Sequence, residues 1–272
     1  MHSSSASLSS VQKACRILSE LSNPGPHRLS NIVTNTRLNK ATAIRLLETL
    51  VQDGFVTRDP VDRSYMLGNE AFVMAAVVSR RALFPECAHD SVVRLAEVSE
   101  DAACLCIPSG SDAVCIDREE GTYPLRANYL NIGRRLPLGV GSPSLALLAW
   151  LPEPEIDEML ERNRIAFTRF PRLSVERIRQ DARNSRERGY AMSANIVCEG
   201  TGGIAVPILG ADGRPVAALG ATALVKRLVE RQQMLAELLQ KEASLIEASL
   251  RQRPRFQVQS RALAGEASHA GA

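Results

Sequence analysis

Five residues in one short stretch, Lys40, Ala41, Thr42, Ile44 and Arg45, are the types needed to read a nucleic-acid duplex from the first turns of a helix. Arg45 offers the planar fork that bonds guanine O6 and N7 together. Lys40 and Thr42 suit phosphate oxygens, and a helix N-terminus itself attracts a phosphate. Ala41 and Ile44 present surfaces that pack against a thymine methyl. Further on, Arg58 and Arg63 flank the turn-forming run Asp59-Pro60-Val61-Asp62, where they can touch a phosphate backbone or a minor groove.

No equivalent set points to catalysis. The four histidines, His2, His27, His89 and His269, form no metal-spaced pair. Gly139-Val140-Gly141 lacks the remaining glycine and the Lys-Ser/Thr ending of a phosphate loop. No nucleophile, base and orienting group fall into a plausible constellation. The six cysteines are scattered through apolar runs. Cys104 and Cys106 have no second pair at zinc spacing and read as buried, inert thiols. The expectation is no catalytic residue, no metal and no cofactor.

The elements that must hold Arg45 in place are legible. Val11, Ala14, Cys15, Leu18 and Leu21 follow the i, i+3, i+4, i+7 spacing of an amphipathic helix, stopped by Asn23-Pro24-Gly25-Pro26. A second helix is expected from Ser30, as N-cap, to Thr36. Arg37-Leu38-Asn39 forms a tight turn, and Asn39 N-caps a third helix that ends at Asp53-Gly54. On that helix Ala43, Leu46, Leu47 and Leu50 share an inward side. Ala41, Ile44, Arg45, Glu48 and Gln52 share the outward one. Strands over 55–58 and 64–67 close a hairpin. Helix, helix, turn, helix, hairpin is a winged helix-turn-helix. Residues 1–80 hold nine Lys and Arg against six Asp and Glu, so the whole net charge of +3 lies in this first third.

The 272-residue chain has room for a second, larger domain. The boundaries read as 8–68 for the winged module, 69–85 for a linker helix, 86–250 for the larger domain and 251–272 for a disordered polar tail. Within the larger domain, helices are expected over 87–99, 145–151, 153–162, 175–188 and 225–250. Strands are expected over 103–107, 113–117, 203–209 and 215–223. The class is α+β. No run reaches the roughly 18 apolar residues of a membrane span, and the Ser-rich start lacks a signal peptide's basic and apolar regions. A cytoplasmic location without a membrane partner follows as an expectation. The alternative to a DNA-binding module is a winged helix that binds protein, against which the basic residues Lys40, Arg45, Arg58 and Arg63 argue.

Leu29-Ser30-Asn31-Ile32-Val33, the run Leu38 to Leu47, Gly54-Phe55-Val56 and Tyr65-Met66-Leu67-Gly68 resemble the DNA-binding domain of the IclR family of bacterial transcriptional regulators. Gly133-Arg134-Arg135-Leu136-Pro137-Leu138, Arg188-Gly189-Tyr190 and Gly202-Gly203-Ile204-Ala205-Val206-Pro207-Ile208 resemble motifs of its effector domain. The resemblance spans roughly residues 8 to 250. It implies a GAF-like effector domain with an antiparallel sheet and flanking helices. It also implies dimers or tetramers, palindromic double-stranded operators, and control of catabolic operons by a small molecule. Three positions depart from the family pattern. Arg37 stands where glycine is usual, Ile44 where a polar residue or histidine is common, and Ser193-Ala194-Asn195-Ile196 where some members are acidic.

By the same resemblance the effector pocket is lined by Gly141-Ser142-Pro143-Ser144 and by 193–203. Ser142 and Ser144, read as preceding a helix, would place its N-terminal amides toward a carboxylate. Asn195 can donate and accept. Leu138, Ile196, Cys198 and Val206 would supply apolar walls beside Pro143 and Gly203. A ligand with one carboxylate and an apolar or aromatic body is the expected effector.

Overall fold

The computed structural model describes residues 8–23, 25, 27–80, 86–125 and 129–252. The chain divides into two compact units, Met1–Leu83 and Phe84–Ala272.

In the first unit, α1 (Ser10–Leu21), α2 (Leu29–Thr36) and α3 (Lys40–Gln52) precede a hairpin of β1 (Val56–Arg58) and β2 (Tyr65–Leu67). Ser9 opens α1 with a capping box, its side chain accepting from Gln12 while the Gln12 side chain accepts from the Ser9 amide. Ile17, Ile32, Ala43 and Leu47 are completely buried and form the centre of this unit's core. Arg28, not Ser30, occupies the N-cap of α2, and no side chain bonds there. Ser30 lies inside the helix, where its carbonyl accepts from the Thr34 hydroxyl at 2.9 Å. Arg37 ends α2 in the left-handed region at φ 56°, so the departure from glycine is strained. Asn39 caps α3 as expected, its side chain accepting from the Thr42 amide at 2.8 Å. The helix α4 (Asn69–Arg80) follows the wing.

The second unit is a six-stranded sheet in the order β5-β4-β3-β8-β7-β6, with every pair antiparallel. Its strands are β3 (Ala102–Ser109), β4 (Asp112–Glu119), β5 (Arg135–Pro137), β6 (Ala191–Ala194), β7 (Thr201–Leu209) and β8 (Pro215–Leu224). Helices α5 (Glu86–Ser99), α6 (Ser142–Ala149), α7 (Glu153–Phe167), α8 (Val175–Arg188), α9 (Val225–Glu230) and α10 (Gln232–Arg251) complete it. One face of the sheet packs against α5, α9 and α10 through Leu95, Ile204, Leu219 and Leu239. The other packs against α6, α7 and α8 through Cys104, Ala205, Leu147 and Ile178. Both faces of β7 and β8 are therefore covered, which explains their unbroken apolar sequence.

Several expectations change in detail. The apolar helix α6 spans 142–149 rather than 145–151, so Ser142 and Ser144 lie in its first turn, behind the N-cap Gly141. Helix α7 runs on to Phe167, past the expected end at 162, and Asn163, buried in it, donates to the Ser111 carbonyl at 2.7 Å. The long terminal helix is broken at Arg231, whose guanidinium donates to the Ser99 carbonyl at 2.6 Å and to Asp101 at 3.2 Å. Strands β5 and β6 were not expected. Both are short edge strands, and β5 ends in a proline, which only an edge tolerates. The tail was expected over 251–272, but α10 runs on through Arg251 with Gln252 as its C-cap; positions 253–272 and the linker positions 81–85 lie outside the described residues.

Candidate DNA interface and effector site

The core of the first unit turns one side of α3 outward. Lys40, Ala41 and Arg45 are exposed, while Thr42 and Ile44 are half-buried. The first turn of α3 carries no acidic residue, so nothing there opposes a phosphate. Among the described residues the Arg45 side chain makes no hydrogen bond or ion pair. Arg58 and Arg63 are both exposed on the wing. The Arg58 guanidinium sits 5.2 Å from the centroid of the Tyr65 ring, which stiffens it. Arg63 adopts φ 63° at the wing tip, held there by a local bond network. The Asp59 side chain accepts from the amides of Val61 and Asp62, and the Asp62 side chain accepts from Ser64.

In the second unit, the ladder β3-β8-β7 brings small residues into rows beneath α6. Ala102, Thr222 and Gly203 form one row, and Cys104, Gly220 and Ala205 the next. Pro143 of α6 lies close over Gly220, 3.2 Å from where a Cβ would stand. At Gly203 a Cβ would overlap the Ser142 Oγ and stand 3.2 Å from the Tyr129 hydroxyl. Both hydroxyls thus converge on one bare point of the sheet. Ser142 is completely buried and its Oγ has no hydrogen-bond partner among the described residues, an uncompensated cost in a folded core. A small cavity is lined by Glu100, Asp101, Ala102, Glu120, Gly121, Tyr123, Leu125 and Thr222; of these, Thr222 pairs with Gly203 across the β7-β8 ladder.

Of the expected effector residues, Leu138, Ser142, Pro143 and Ser144 are buried on this face around the start of α6. Gly203 forms the floor. Asn195 sits at φ 59° and closes the 195–201 loop, its side chain accepting from the Gly200 amide at 2.8 Å. Cys198 is exposed on the same loop. Val206 belongs elsewhere: it packs with Ile204 and Ile208 in the opposite core, against α5 and α10. Sequence reasoning missed Tyr129, Cys104 and Leu136. The i, i+2 spacing of Cys104 and Cys106 marked a shared strand face, but nothing local marked Tyr129. Burial, with the nearby thiols of Cys104, Cys106 and Cys198, pushes the Tyr129 phenol upward and keeps it neutral.

Two family models cover most of the chain: the IclR helix-turn-helix domain matches residues 10–60, and the bacterial transcriptional regulator IclR C-terminal domain matches 75–248. The chain belongs to the IclR family. This IclR-family regulator is 28% identical over 228 residues to the HTH-type transcriptional regulator XynR of Escherichia coli, covering 81% of this chain and 88% of that one. It is 25% identical over 209 residues to the transcriptional repressor IclR of the same organism, covering 76% of each. An IclR homologue of Microbacterium hydrocarbonoxydans, solved in complex with 4-hydroxybenzoate, superposes with a TM-score of 0.67 at 25% identity, over 90% of this chain and 100% of that one. A regulator from Silicibacter shares the fold, with a TM-score of 0.73 at 21% identity over 89% and 96% of the two chains. These relatives are regulators rather than enzymes. The protein is thus a DNA-binding transcriptional regulator with a C-terminal effector-binding domain, as the motifs implied. Among the described residues no helix is long and apolar enough to cross a membrane.

Proposed function

We propose that Arg45 reads a base in each half of a palindromic operator, with Lys40, Thr42, Arg58 and Arg63 on phosphates and Ala41 and Ile44 against thymine methyls. The observation that carries this reading is the unpaired, exposed Arg45 on a capped helix whose opposite side is core. The protein works in the cytoplasm as a homodimer or tetramer. Supporting this, α4 leaves Phe72, Val73, Met74 and Val77 more than half exposed, an apolar stripe suited to pairing. The effector, a carboxylate or aromatic catabolite, seats between the start of α6 and Gly203 and changes operator affinity, thereby controlling a catabolic operon. The orphaned Ser142 hydroxyl supports this placement, as does the 4-hydroxybenzoate complex of the Microbacterium homologue.

The test is binding of the purified protein to DNA from upstream of its own coding region, titrated with salt and repeated with a panel of aromatic and aliphatic carboxylates. Tight, salt-sensitive, sequence-selective binding that one compound shifts is the expected result. Absence of selective binding on that fragment and on a genomic pool would overturn the operator reading.

A further inference from the structure

Three cysteines share one face of the six-stranded sheet, and the strand register singles out two of them. Cys104 and Cys106 lie two residues apart on β3, and Cys115 stands directly opposite Cys106 on β4. All three belong to the core that α6 covers. A bulge at this point leaves Ile116 as the extra residue of β4, since Leu105 faces Asp117 while Cys106 faces Cys115. The backbone of Cys115 bonds away from β3: its amide donates to the Arg134 carbonyl at 3.1 Å and its carbonyl accepts from the Gly133 amide at 2.8 Å. Cys106 and Cys115 are therefore a non-hydrogen-bonded cross-strand pair. In such a pair the Cα atoms stand about 4.5 Å apart, within the span of a disulfide.

The other pairings of the three fit worse. Cys104 and Cys106 are two steps apart on one strand, about 6.6 Å, with parallel side chains, so their Cβ atoms do not reach the roughly 4 Å separation that an S–S bond needs. Cys104 faces Arg118 across the ladder rather than a cysteine. The surroundings also give Cys106 and Cys115 different characters. Hydrogen bonds with Cys104 and then with Cys115, together with burial, raise the Cys106 thiol well above the ordinary range. The Cys115 thiol is lowered, first by its hydrogen bond with Cys106 and further by the positive charge of Arg118. Thiolate character thus gathers on Cys115.

We infer that Cys106 and Cys115 form a dithiol that hydrogen peroxide converts to a cross-strand disulfide inside the effector domain. The Cys115 thiolate attacks one peroxide oxygen. An S–O bond forms, the O–O bond breaks, and the released hydroxide takes up the proton that Cys115 gave. The Cys106 sulfur then attacks the sulfenic sulfur of Cys115. The S–S bond forms, the S–O bond breaks, and the leaving hydroxide takes the Cys106 proton. Two thiols and one peroxide give one disulfide and two waters, and two electrons pass from sulfur to oxygen. Both thiols are only 1% exposed, which shuts out bulky oxidants but not one little larger than water. The short way in is from the sheet edge, where only the three residues of β5 and the 133–134 turn lie outside β4, and short edge segments open at low cost. In a reducing compartment such a bond is transient and forms only under oxidant.

The test is peptide mapping of the folded, full-length protein after exposure to hydrogen peroxide, with remaining thiols blocked by N-ethylmaleimide on denaturation. Cleavage before Asp101, Asp112 and Asp117 puts Cys104 and Cys106 on one peptide and Cys115 on another. Without reduction the two peptides are expected as one cross-linked species, with the maleimide on Cys104, and dithiothreitol should separate them. Cys104→Ser should keep the cross-link and Cys115→Ser should lose it. Cys106→Ser should leave a sulfenic acid on Cys115 that dimedone traps. Because the wild-type map stands without any variant, a substitution that fails to fold does not decide the matter. A cross-link from Cys115 to Cys104 would overturn the pairing. Recovery of Cys106 and Cys115 as maleimide adducts, under peroxide that oxidises the exposed Cys15 and Cys198, would overturn the proposal.

Discussion

Replacing Arg45 separates base reading from phosphate attraction. The side chain is exposed and makes no hydrogen bond or ion pair within the described chain, so Arg45→Ala should change folding stability by no more than about 0.5 kcal/mol. On DNA the loss should be about 1–3 kcal/mol per half-site, a factor of roughly 5 to 150 in affinity. A dimer reading two half-sites would feel it twice. Arg45→Lys sharpens the test. Lysine keeps the charge but not the fork that meets O6 and N7 together. It should therefore retain the salt dependence while losing discrimination at one base position. The assay is fluorescence anisotropy on an operator and on variants substituted at each position, each at several salt concentrations. Equal weakening on all sequences, with the salt slope falling by about 0.9 per half-site, would show that Arg45 touches only phosphate. The reasoning from helix face to base readout would then fail.

Other perturbations test the framework. Arg37→Gly relieves a left-handed φ of 56° that costs an L-residue about 1–2 kcal/mol, partly offset by the larger entropy glycine loses on folding. A rise in melting temperature is expected, and a fall would mean that the arginine side chain holds the turn. Arg186 bonds the Ala149 carbonyl and, at 2.6 Å, the Leu151 carbonyl, closing the C-terminal end of the buried helix α6. Arg186→Ala should cost about 1–3 kcal/mol, read as a lower urea midpoint; an unchanged midpoint would mean that water replaces both bonds. Burial alone would raise Glu242, but hydrogen bonds from Arg94 and Ser91, with the Arg94 charge, outweigh it and hold its carboxyl below 4.5. Because the folded value lies below the unfolded one, Glu242 adds stability above pH 4.5 that fades as pH falls through the depressed value. Glu242→Gln should flatten that acid limb in melts taken from pH 7 down to pH 3. An unaltered slope would assign acid sensitivity to other carboxylates.

The winged module was legible because its signals are local. The 3.6-residue period over 11–21 and 40–52, the Asn39 cap and the turn cluster 59–63 each act within a few residues, and together they orient Arg45 without reference to the rest of the chain. The same holds for Gly189, which ends α8 at φ 82°. The larger domain was legible in outline through its motifs, yet its site was not. Val206 was placed on the ligand side, but it faces α5 and α10. In a strand covered on both faces, apolar residues alternate with apolar residues, so pattern cannot tell which parity meets which helix. Strands β5 and β6 carry little strand propensity of their own and exist because a neighbouring strand offers its free edge. The meeting of Ser142 and Tyr129 over Gly203 depends on the β7-β8 register and on the close approach of α6 to the sheet. Sequence alone determined which side of α3 is turned outward for the proposed operator contact, since a helix face is set by neighbours three and four residues apart. Only the tertiary structure decided what meets at the proposed effector site, since residues 129, 142 and 203 are brought together there and no local period connects them.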